Sequence, residues 1–170
     1  METTTYILLA VAIFIIGKAS HLGRLSPTCL NTSGKVYKVA SPGELDAVLA
    51  SNAHVVVDFY ADWCPPCRAI APVFSGLADK HASEGKLAFA KVNVDHVNAV
   101  AGRYKVTAMP TFVFFRNGKP EGVKVEGVTP RQSVSFTGDG LVDRVRGADR
   151  AALQAVVQAL AEQSGGNTKQ

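Results

Sequence analysis

Residues 53–61, "AHVVVDFYA", form a nearly continuous run of β-branched and aromatic residues. A strand with one solvated face alternates apolar and polar side chains; a run without alternation fits a central strand buried on both faces. Such a strand requires neighbours on either side and cover above and below. One residue sits badly in it. Asp58 follows Val56 and Val57 and precedes Phe59, so its carboxyl is expected to be buried, where the charged form is disfavoured.

The flanking pattern supplies the neighbours. "KVYKV" (35–39) alternates as a strand, and Ser41, Pro42 and Glu44 read as N-cap, first helical position and capping-box partner of a helix in "SPGELDAVLAS". After the central run, "CRAIAPVFSGLADKHAS" places Ala69, Val73, Leu77 and Lys80 at helical spacing, with Pro72 inside and a kink expected there. "KLAFAKVNVD" (86–95) is the next strand and "HVNAVAGRYKV" a short helix. "PTFVFFRNGK" (110–119) is a strand running into Asn117-Gly118, a strong hairpin signal. "GLVDRVRG" (140–147) and "ADRAALQAVVQALAEQ" read as a last strand and an amphipathic helix, with a polar tail over 163–170 expected to be disordered. This order predicts an α/β fold over 35–162: a central mixed sheet, parallel early and antiparallel late, flanked by helices on both faces. The interval 120–140, "PEGVKVEGVTPRQSVSFTGDG", is far longer than a hairpin loop of about two to five residues. "VKVEGV" and "SVSF" alternate enough for an extra ribbon, but the expectation is an exposed, mobile loop.

Residues 1–34 lie outside that fold. Their apolar run from Tyr6 to Ile16 rises only about 16 Å as a helix, short of the roughly 20 residues of a membrane span. Its length suits a signal-peptide core, and Gly17-Lys18-Ala19 offers a cleavage site. Yet Glu2 rather than Lys or Arg precedes it, and Lys18 and Arg24 follow, which for an anchor keeps the remainder in the cytosol. A cytoplasmic protein with weak membrane association through 6–16 is the expectation; membrane-tethered, mitochondrial and secretory placements are the alternatives.

The net charge of +4 is spread along the chain, without the clustered Lys/Arg of a nucleic-acid footprint. Three cysteines make no disulfide framework. Cys64 and Cys67 pair in "WCPPC", and Cys29 is left over as an unpaired thiol. A structural metal site needs four ligands, and no second cysteine pair exists; His54, His81 and His96 stand singly. Redox chemistry fits better. Cys64 falls where a strand ends and a helix begins, so free N–H groups and the helix dipole favour its thiolate. Cys67, one turn on, can resolve a mixed disulfide, and a buried Asp58 is poised to take the proton of that second thiol. In Met109-Pro110-Thr111 a proline opens a strand; cis and trans forms are both open there.

"VVVDFYADWCPPC", "APVF", "KVNVD", "AMPTFVFF", "NGK" and "RGA", in this order, resemble the thioredoxin family over residues 35–119 and 140–162. The resemblance implies a thioredoxin fold and a protein-disulfide reductase with no bound cofactor, reduced by thioredoxin reductase with NADPH, acting as a monomer on disulfide-containing proteins. By position, Cys64 resembles the nucleophile and Cys67 the resolving thiol, while Asp58 and Lys91 resemble the buried acid–lysine pair. Trp63, Pro65 and Pro66 look like the active-site rim. Pro110 resembles the cis-proline, with Met109 and Thr111 beside it on the target-binding rim, and Gly147 the glycine near which targets pack. Pro65 replaces the commoner glycine, Tyr60 stands where tryptophan is frequent, and the interval 120–140 is an insertion. A secretory disulfide oxidase or isomerase and a non-catalytic binding module of the same fold are the competing functions.

Overall fold

The computed structural model describes residues 34–165; the apolar run, Cys29 and residues 166–170 lie outside them. The chain begins β1 (Val36–Val39), α1 (Pro42–Ser51), β2 (His54–Tyr60), α2 (Pro65–His81) and β3 (Leu87–Asn93). It continues α3 (Asn98–Arg103), β4 (Thr111–Arg116), β5 (Lys119–Pro120), β6 (Val134–Phe136), β7 (Val142–Arg146) and α4 (Arg150–Gly165). The sheet order is β1-β3-β2-β4-β7-β6, with β5 on the far end of β4. β2 is central, parallel to β3 and antiparallel to β4.

Alternation along a strand sends successive side chains to opposite faces, and helices cover both. Val56, Phe89, Phe112 and Phe114 pack with Ile70 and Phe74 of α2 and Leu153 and Val156 of α4. Val55, Val57, Phe59, Ala90 and Val113 pack with Leu45 and Leu49 of α1 and Val100 of α3. Asp58 and Tyr60 follow Val56 on the α2 side by the same period of two, and Lys91 follows Phe89. Their face is therefore fixed by the hydrophobic pattern, which cannot slip by one residue without exposing the core.

Ser41 caps α1 as expected, accepting the Glu44 N–H at 3.3 Å, while Glu44 reaches back to the Ala40 N–H at 2.8 Å, one residue before the N-cap donor of a capping box. Asn117 and Gly118 turn with φ of 48° and 81°, joining β4 to β5. Pro72 lies inside an uninterrupted α2. The helix at the C-terminus runs to Gly165, past the expected boundary at 162.

The insertion departs from the expected exposed loop. Val123 and Val142 exchange backbone hydrogen bonds of 2.9 Å in both directions, closing its two ends together. The "SVSF" ribbon forms as β6, antiparallel to β7, whereas "VKVEGV" contributes only the bridge at Val123. The cause is burial: Val123 and Val134, 3% and 4% exposed, join the core cluster beneath α4. Gly122 lets the two ends cross, since a Cβ there would stand 2.6 Å from Leu141 Cβ.

Candidate active site

Cys64 is the N-cap of α2, with Pro65 and Pro66 opening the first turn. Neither proline has an N–H, so the first donor at this helix end is the Cys67 N–H. That donor points at the Cys64 sulfur, 3.2 Å away. Cys64 and Cys67 form a disulfide with their Cα atoms 5.3 Å apart. In the reduced form the same N–H and the positive end of α2 hold a negative charge on Cys64.

Beneath the pair lies Asp58, 2% exposed. It is the cross-strand neighbour of Lys91 on β3 and of Phe112 on β4. Burial raises its carboxyl to about 7, the Lys91 charge only partly offsetting that rise. Its Oδ1 accepts no hydrogen bond. Asp58, Lys91, Tyr60, Asp62, Arg68 and Cys67 line one cavity of about 20 Å³, room for a single water molecule. A carboxylate titrating near neutrality beside a thiol is matched to take that thiol's proton.

The rim is built from three loops. Trp63 is 64% exposed and donates from Nε1 to Asp95 Oδ2 at 2.9 Å. Pro65 and Pro66 are exposed beside it. Opposite, the Met109–Pro110 peptide is cis, which decides between the two forms the sequence left open, and the Met109 carbonyl oxygen lies 3.6 Å from Cys64 Sγ. Gly147 donates its N–H to the Pro110 carbonyl at 2.7 Å. Its φ of 72° belongs to the left-handed region that favours glycine. Thr111 departs from its expected place on the target-facing rim. It is 2% exposed, and its hydroxyl donates to the Ala108 carbonyl at 2.7 Å, so it braces the Pro110 loop from behind.

Several contributors were not singled out in the sequence. Asp95 anchors Trp63, Asn93 donates to Asp62 Oδ2 at 2.9 Å, and Asn93 Oδ1 accepts the Asp95 N–H at 2.9 Å. The signal for them was parallel pairing: Tyr60 faces Asn93 in register, so the residues following β2 and β3 must meet.

The thioredoxin sequence family matches residues 36–137. The chain belongs to the thioredoxin family. It is 53% identical over 100 residues to a thioredoxin-like protein of Fusarium culmorum, covering 56% of this chain and 83% of that one. A thioredoxin of Neurospora crassa is 50% identical over 91 residues, 54% of this chain and 72% of that one. The crystal structure of Malassezia sympodialis thioredoxin superposes with a TM-score of 0.59 at 32% identity, covering 80% of this chain and 99% of that one. The family match ends inside the insertion. With a cysteine pair at this helix end, this thioredoxin-family member is a thiol–disulfide oxidoreductase whose redox-active centre is Cys64–Cys67.

Proposed function

We propose that the chain is a protein-disulfide reductase of the cytoplasm, supplied with electrons from NADPH through thioredoxin reductase. The observation that carries this is the Cys67 N–H aimed at Cys64 Sγ above a buried Asp58. The Cys64 thiolate attacks one sulfur of a target disulfide; that S–S bond breaks, and the other target sulfur leaves as a thiolate. The mixed disulfide is then resolved. Cys67 gives its proton to Asp58, its sulfur bonds to Cys64 Sγ, and the second target thiolate departs. The target is reduced by two electrons and the chain keeps the Cys64–Cys67 disulfide, which the reductase reopens. Lys91 balances the carboxylate charge, and Trp63, Met109 and Gly147 frame the surface a target meets.

Cytoplasmic placement is supported by Lys18 and Arg24 following the apolar run. The chain acts as a monomer, and residues 6–16 add at most weak membrane attachment, being too short to span. Insulin reduction coupled to NADPH and thioredoxin reductase tests the activity: NADPH consumption should require this chain and vanish in Cys64→Ser. Equal rates for the two proteins would end the reading. Imaging of the full chain against a form starting at Lys35 tests placement, and a secretory or mitochondrial pattern for the full chain would refute it.

A further inference from the structure

Tyr60 ends β2 two residues beyond Asp58, on the same face. The Lys91 ammonium stands 4.0 Å from the centre of its ring, and Lys91 is only 7% exposed. A cation over an aromatic face is attracted by the ring's quadrupole, more strongly where water is excluded. The ring thus offers the ammonium a seat beside Asp58, while Asp58 Oδ1 remains without a donor and shares its cavity with Cys67. Around Asp58 the charged and titratable groups are Cys67 and Arg68 from α2, Lys91 from β3, Asp62 from the turn after β2, and Tyr60 from its own strand. β4 contributes the uncharged Phe112.

We propose that Tyr60 is a positioning residue for the resolving step, its ring fixing the Lys91 ammonium so that Oδ1 of Asp58 stays open to the Cys67 proton. The inference rests on the dithiol-exchange reading: as the proton passes to Oδ1, the Cys67 sulfur bonds to Cys64 Sγ and the target leaves as a thiolate. Without the ring the ammonium settles on the carboxylate, and an opposite charge at contact favours the ionised form. Asp58 then holds its proton less readily.

The test is the titration of the Asp58 carboxyl carbon by 13C NMR in the reduced full chain, for wild type, Tyr60→Leu, Lys91→Met and the double variant. Tyr60→Leu is expected to lower the Asp58 midpoint by about one pH unit and to have no effect on a Lys91→Met background. An unmoved midpoint overturns the proposal, as does an equal fall in both backgrounds, which would mark Tyr60 as a plug against water. If Tyr60→Leu does not fold, Tyr60→Trp substitutes, since its ring is the better cation seat. Its midpoint should match or exceed that of wild type, and a fall would overturn the proposal. The titration is independent of turnover, so a chain that titrates as stated but leaves insulin oxidised contradicts the reductase reading and not this one.

Discussion

Asp58→Asn should make the protein more stable at alkaline pH, although it removes the proposed acceptor of the Cys67 proton. The carboxyl sits 2% exposed and is raised from 3.8 to about 7, chiefly by burial. The unfolded chain ionises Asp58 first, so the unfolded state gains from each rise in pH between those two values. Stability linked to Asp58 is therefore full below pH 4, falls as pH rises toward 7, and stays lost above it. The interval spans roughly three pH units, and at 1.36 kcal/mol per unit ionised Asp58 costs the folded state about 4 kcal/mol. Asn is neutral throughout and carries no such cost. Urea unfolding of the oxidised protein between pH 3.5 and 8.5 should show the two proteins converging at the acid end. The variant should lead by up to about 4 kcal/mol at the alkaline end. A difference that does not change with pH would refute the burial argument, and with it the role of Asp58 as a base titrating near neutrality.

Pro66→Ala restores an N–H at the second helical position, within reach of an N-cap acceptor. A second donor to the Cys64 thiolate stabilises the reduced form, so the reduction potential should rise by about 15 mV against a glutathione buffer. Trp63→Phe loses the hydrogen bond to Asp95 at an exposed site; unfolding free energy should change by less than about 1 kcal/mol, while KM for a protein disulfide rises. Gly147→Ala places a side chain at a φ of 72°, and thermal or urea unfolding should report a loss of about 1–2 kcal/mol. Val134→Ala, in the insertion yet 4% exposed, should cost about 1–2 kcal/mol by urea unfolding. No loss would mean that β6 adds nothing to the core.

The sequence was most legible where burial on both faces removes choice. β2, β3 and β4 had to be central, and the period of two within them put Asp58 and Lys91 on the face that α2 covers. The cysteine pair was legible for a local reason, since N-cap position and one-turn spacing are both set within four residues. The insertion was not, because β6 has three residues and its support comes from Val145 and Arg144 on another strand. Nor was the Trp63–Asp95 contact, whose partners are 32 residues apart and meet only through parallel pairing. Thr111 misled because a residue beside Pro110 in sequence can still point into the body of the protein.

In the proposed mechanism Cys64 is the sulfur that attacks and Cys67 the sulfur that resolves. Removing Cys67 should strand the reaction halfway. Mass spectrometry of Cys67→Ser after exposure of its reduced form to an oxidised protein target should find the mixed disulfide accumulated on Cys64, and Cys64→Ser should form no such adduct there or at Cys67. Target bound through Cys29, or no trapped species while turnover persists, would contradict it.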